Sequence, residues 1–74
     1  MIKRNLSGPR ILKERQRQGL TRKALLAKLE SYGIQMSPRT FSLLERQLRP
    51  AYDKEVYALS NALNVSIDWL LGLE

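Results

Sequence analysis

The 74-residue chain contains no cysteine and no histidine. The first absence rules out disulfide staples, and the two together rule out the usual Cys/His zinc sites. They also remove the commonest general base and the thiol nucleophile. No set of Ser, Lys and carboxylate residues replaces them in a recognisable pattern, and no phosphate loop or dinucleotide fingerprint is present. The expectation is therefore a non-enzyme without cofactor or metal. No apolar run approaches the roughly 18 residues that a membrane span needs, and the basic start is not followed by a signal-like apolar stretch. A soluble, cytoplasmic protein is expected. With one Trp, three Tyr and one Phe, and no period-2 alternation, the chain offers no aromatic sheet surface of the kind that stacks single-stranded RNA.

Acidic residues are in the minority. Thirteen Lys/Arg face seven Asp/Glu, a net charge of +6. Residues 1–54 hold all thirteen basic groups against four acidic ones (Glu14, Glu30, Glu45, Asp53), a net of +9. Residues 55–74 hold only Glu55, Asp68 and Glu74, a net of −3. A basic body fits a polyanion such as nucleic acid; equally, it can be a solvated surface. The length allows one domain, close to the lower limit for burying a core without staples.

Helix punctuation fills the chain. Thr21 has the place of an N-cap, with Leu20 and Leu25 spaced as a hydrophobic staple. Ser37 repeats this with Met36 and Phe41 and adds Pro38 at the first helical position. Asp53 repeats it with Tyr52 and Tyr57, and Ser66 with Val65 and Leu70. Ser7 or Gly8 offers a weaker start. Gly19, Gly33, Asn64 and Gly72 supply stops, and Gly33–Ile34 facing Leu29 has the pattern of a Schellman motif. Five short helices follow. Their apolar residues fall at three- and four-residue spacing: Leu25, Leu29, Tyr32; Phe41, Leu44, Leu48; Val56, Leu59, Leu63; Ile67, Leu70, Leu71. All are assigned to one core. Residues 1–8 are read as a basic arm and 9–74 as the domain. The arm (Met1 to Asn5) is either a frayed terminus or a segment reaching a groove or backbone.

The third helix opens Ser37-Pro38-Arg39-Thr40, with small polar or basic side chains in its first turn. A helix entering a DNA major groove by its N-terminus needs such a turn. Its side chains meet base edges while its free N–H groups favour phosphate. Arg39 is the side chain there able to bond guanine O6 and N7 together; the alternative is an arginine left in solvent.

In order along the chain stand Arg10-Ile11, Arg15, Gly19-Leu20-Thr21, Leu25, Ala27-Lys28-Leu29, Ser37 through Ser42, Leu44-Glu45-Arg46, Arg49-Pro50 and Ala62 through Gly72. With these motifs the chain resembles the Cro/repressor-type (lambda-repressor-like, XRE) helix-turn-helix family over residues 8–72. The resemblance implies an all-α, compact five-helix DNA-binding domain whose third helix reads DNA. It implies base contacts from Pro38, Arg39, Ser42 and Leu43, and phosphate contacts from Arg22, Ser37, Thr40, Arg46 and Arg49. It also implies an ion pair, Arg15 with Glu45, joining the first helix to the third. Double-stranded DNA is the implied partner, the function a transcriptional regulator, chiefly a repressor, of bacterial, phage or mobile-element type, and the location the nucleoid. Palindromic operators require two copies, and Trp69, Leu70 and Leu73 offer a homodimer face or else seal the core. The alternative function is a protein-interaction or antitoxin-like adaptor on the same scaffold.

Four departures accompany the resemblance. The connection between the second and third helices is about five residues longer than the family's tight turn. Leu26 stands where a small residue is usual, Glu14 where an apolar one is, and Gln47 where glycine often follows the third helix. Leu43 is apolar at a base-reading position, suited to a thymine methyl or to core or partner packing.

Overall fold

The computed structural model describes residues 3–74; Met1 and Ile2 of the arm lie outside the described residues. Five helices follow one another: α1 (Gly8–Arg17), α2 (Arg22–Glu30), α3 (Pro38–Glu45), α4 (Asp53–Leu63) and α5 (Ile67–Leu70). The all-α, five-helix expectation holds. α1 packs on α3, α4 and α5, α2 on α3 and α4, and α4 on α5. Ile11, Leu25, Leu29, Phe41, Leu44, Leu59, Leu63 and Leu70 are completely buried and form the centre of the core. No helix among the described residues is long and apolar enough to cross a membrane.

Three starts follow the hydroxyl rule. Thr21, Ser37 and Ser66 accept hydrogen bonds from the backbone N–H of Ala24, Thr40 and Trp69 at 3.0, 3.1 and 3.0 Å. Two starts differ from expectation. At α4 the N-cap is Tyr52, one residue before Asp53; Glu55 accepts the Tyr52 N–H at 3.0 Å, half of a capping box. Asp53 lies in the first turn, where its negative charge interacts favourably with the positive end of the helix dipole. At α1, Ser7 is the N-cap by position but makes no cap bond, and its buried hydroxyl finds no partner among the described residues. Asn5 takes over: its Oδ1 accepts the Gly8 N–H at 2.7 Å.

All five helices end alike, in a left-handed residue: Gly19, Gly33, Gln47, Asn64 and Gly72. Each is followed by an apolar residue whose N–H reaches back five positions: Leu20 to Arg15, Ile34 to Leu29, Leu48 to Leu43, Val65 to Ser60 and Leu73 to Asp68, at 2.8–3.0 Å. These are Schellman closures, which satisfy carbonyls the helix leaves open. Leu48 therefore lies past the end of α3 rather than within it.

Beyond Glu30 the chain continues toward Tyr32, the last residue of the expected apolar stripe, only as a tightened turn. The N–H groups of Ser31 and Tyr32 bond the carbonyls three residues back, and α-helix stops at Glu30. Tyr32 is 48% exposed and does not join the core; the Schellman geometry sends Ile34 inward in its place. Ile67, 38% exposed, also lies at the surface. At the C-terminus, Leu70 is completely buried, so it seals the core and is not free for a dimer face. Trp69 packs against the core with the Arg10 guanidinium 4.9 Å from its ring centroid, whereas Leu73 is exposed.

The described part of the arm is fastened down. Arg4 N–H donates to Gln47 O at 3.0 Å, Gln47 Nε2 to Asn5 O at 2.9 Å, and Asn5 Nδ2 to both Leu44 O (3.0 Å) and Arg49 O (2.8 Å). The arm thus runs onto the C-terminal end of α3. Gly8 makes that approach possible, because a methyl group there would lie 2.6 Å from Leu44 O and 2.7 Å from Glu45 O. Glu14 is buried yet charged. Its carboxylate accepts Arg17 Nε at 2.9 and 3.0 Å and Gln18 Nε2 at 2.7 Å, and the same Gln18 amide bonds Leu63 O at 2.7 Å.

Gly8→Ala must push the arm and α1 off α3, and is expected to cost about 1–3 kcal/mol in chemical denaturation. The hydrogen bonds from Arg17 and Gln18 hold the Glu14 carboxyl below the usual carboxylate range. The stability they confer is present above the carboxylate's unfolded pKa and is lost as pH falls through the lowered folded one. Glu14→Gln should therefore flatten the fall in urea midpoint between about pH 6 and about pH 3.

Candidate nucleic-acid interface

Phe41 and Leu44 turn one side of α3 into the core and leave its first turn outside. Ser37, Pro38 and Arg39 are exposed, and Thr40, Ser42 and Leu43 are half-buried. The Ser37 hydroxyl donates to Thr40 Oγ1 at 2.9 Å while accepting the Thr40 N–H, so the two hydroxyls brace the helix start. No acidic residue occupies this turn. Arg39 makes no ion pair among the described residues and is free to extend. The four residues expected to read bases, Pro38, Arg39, Ser42 and Leu43, thus share the outer part of one helix.

The opposite end of α3 holds the expected ion pair. Arg15 Nε donates to Glu45 Oε2 at 2.8 Å and its Nη2 to Oε1 at 3.4 Å; the side chains are 10% and 1% exposed. Arg15 Nη1 also donates to Leu20 O at 2.9 Å, tying in the turn before α2. A second cation joins: Arg22, the first residue of α2, donates Nε to Glu45 Oε1 at 3.1 Å and remains half exposed. One buried carboxylate therefore connects α1, α2 and α3.

Around α3 the expected phosphate contacts divide. Arg22 and Lys23 line a groove that also takes Leu26, Ala27, Glu30 and Met36 and reaches Pro38 at the start of α3. Arg46 is exposed at the end of α3, without an ion pair among the described residues. Arg49 is engaged within the protein. Its two terminal nitrogens bond the two oxygens of Glu55 at 3.0 and 3.2 Å, its guanidinium lies 5.3 Å from the Tyr52 ring centroid, and its side chain is 17% exposed. With both prongs on Glu55, Arg49 fastens the α3–α4 turn, and a phosphate would have to compete with that carboxylate for it.

No family model, curated protein or solved structure matches this chain. Two contributors escaped the sequence reading. Asn5 was assigned to the arm, although an Asn three residues before a helical N–H is a capping signal that could have marked it. Lys23 follows Arg22 in the α2 first turn, and its exposure emerges only once Leu25 and Leu29 fix which side of α2 is buried.

Removing one member of the buried pair leaves an uncompensated charge. Arg15→Ala is expected to destabilise by about 3–5 kcal/mol. Arg39→Ala, which breaks no ion pair, should stay within about 0.5 kcal/mol of wild type in the same denaturation experiment.

Proposed function

We propose that the chain is a double-stranded DNA-binding protein of the Cro/repressor helix-turn-helix type and acts as a transcriptional regulator, a repressor by occlusion. The observation that carries this reading is the first turn of α3: exposed, free of acidic residues and bearing an unpaired Arg39, on a helix anchored from behind by Phe41, Leu44 and Glu45. In this mechanism the N-terminus of α3 enters the major groove. Arg39 bonds guanine O6 and N7, Ser42 and Pro38 lie against neighbouring edges, and Leu43 covers a thymine methyl. Ser37, Thr40, Arg22 and Arg46 meet the sugar–phosphate backbone and fix register without reading sequence. Two copies on a two-fold site would supply specificity over a full operator. The working location is the bacterial or phage-infected nucleoid.

A protein-adaptor role on the same scaffold draws on a different observation. Tyr32 and Tyr57, both exposed, flank a groove with Gly33, Ile34, Asp53 and Lys54. The two readings separate cleanly. Selection from a random pool of duplexes at two salt concentrations should enrich a two-fold motif with half-sites about one helical turn apart. Arg39→Ala should relax one position of that motif, and Arg46→Ala should weaken all sequences alike. Salt-sensitive retention without a motif would overturn the specific regulator, and no retention at low salt would leave the adaptor.

A further inference from the structure

Arg22 and Glu45 are more than two charges in contact. Glu45 Oε2 is taken by Arg15 at 2.8 Å, but Oε1 receives only a long 3.4 Å bond from that residue and a shorter one, 3.1 Å, from Arg22 Nε. One carboxylate and two guanidiniums leave an excess of one positive charge. Arg15 is nine-tenths buried, so the excess faces solvent at Arg22, which is half exposed. Only the Nε of Arg22 is engaged; among the described residues nothing accepts from its two terminal nitrogens. In a planar guanidinium those nitrogens form the edge opposite Nε, and that edge matches two oxygens of one phosphate. The first turn of α2 contains no acidic residue, and the groove that Arg22 lines runs to Pro38, where α3 begins.

We infer that Glu45 is a positioning residue that presents Arg22 as a two-pronged clamp for one backbone phosphate beside the groove α3 reads. The inference rests on the DNA-binding reading and deepens it. Because Nε is held by a carboxylate that Arg15 keeps in place, less of the arginine's rotational freedom is lost when phosphate binds. Lysine fits the arrangement less well, since its ammonium is one point charge without a planar fork that places one nitrogen on Glu45 and two on a single phosphate.

The test is binding of a random-sequence duplex by wild type, Arg22→Lys and Arg22→Ala, followed by anisotropy across salt, together with nitrogen-detected NMR of the arginine side chains in free protein. Arg22→Ala should reduce the slope of log affinity against log salt by about 0.9. Arg22→Lys should retain the slope yet bind about tenfold more weakly, the loss of a charge-assisted bond and its geometry. In free protein the Arg22 Nε–H should exchange with solvent more slowly than that of Arg39. Arg22→Lys binding like wild type would overturn the clamp and leave a point charge. An Arg22 Nε–H exchanging as fast as Arg39 would overturn the role of Glu45 while leaving DNA binding intact. A wild-type protein that binds no duplex would sink the DNA reading and the clamp with it, even if the Nε–H proved protected.

Discussion

A carboxylate buried at the last turn of a helix carries a large desolvation cost unless cations come to it, and most of this molecule's geometry follows from meeting that demand at Glu45. Arg15 arrives from α1 and Arg22 from α2, so three helices must converge on one point. Arg15 also holds the carbonyl of Leu20, which places the turn between α1 and α2 in the same cluster. Buried ion pairs are poor evidence of net stability, but their directionality penalises alternative arrangements. That directionality matters here because residues 31–37 connect α2 to α3 without a short rigid turn. Where a tight turn would set the angle between the two helices, the shared carboxylate and the Schellman closure at Gly33 set it instead.

The two ends of α3 are built for opposite purposes. Its C-terminal end is knitted into the protein through Asn5, Gln47 and the close approach of Gly8. Gln47 accepts a left-handed backbone, φ 63°, at a cost of about 1–2 kcal/mol relative to glycine's freedom. In return its side chain bonds Asn5 O, an interaction glycine could not make. The N-terminal end has only its own hydroxyl brace and presents Pro38 and Arg39 outward. The proposed role of α3 in reading DNA would require this asymmetry, since precision at an exposed turn comes from rigidity behind it.

Much of this was legible in local sequence, and the misses share a cause. Hydroxyl caps with staples located α2, α3 and α5, and glycine or asparagine located four of the five ends, because those signals act over a few residues. The Arg15–Glu45 pair was accessible only through family resemblance. Tyr32 shows the limit of periodicity: it continues the α2 stripe, but the chain leaves the helix before reaching it. Leu70 and Trp69 look alike as apolar surface in sequence, and only packing against α1 and α4 separates the buried one from the partly covered one. Asn5 was hidden by Ser7, an equally good cap that stands directly before the helix but has a helical backbone and a buried, unpartnered hydroxyl. Arg49 and Glu55 are six residues apart across a turn, a spacing that no helical or strand period marks.

Arg49 also changes how the basic charge should be counted. A net +9 over residues 1–54 treats every arginine as available to a polyanion, yet four arginines (15, 17, 22 and 49) are committed to carboxylates. Glu55 lies in the acidic remainder of the chain, so the division into basic body and acidic tail is partly undone by the fold. Near α3, Arg4, Lys23, Arg39 and Arg46 remain without an ion pair among the described residues, and Arg22 is committed by one nitrogen only. Each released counterion requires a cation that can reach a phosphate. The salt dependence of a complex should therefore track this small set rather than the formal charge of the chain. If Arg39 is directed to a base, as the proposed function has it, Arg4, Arg22, Lys23 and Arg46 are left to carry the electrostatic part of binding.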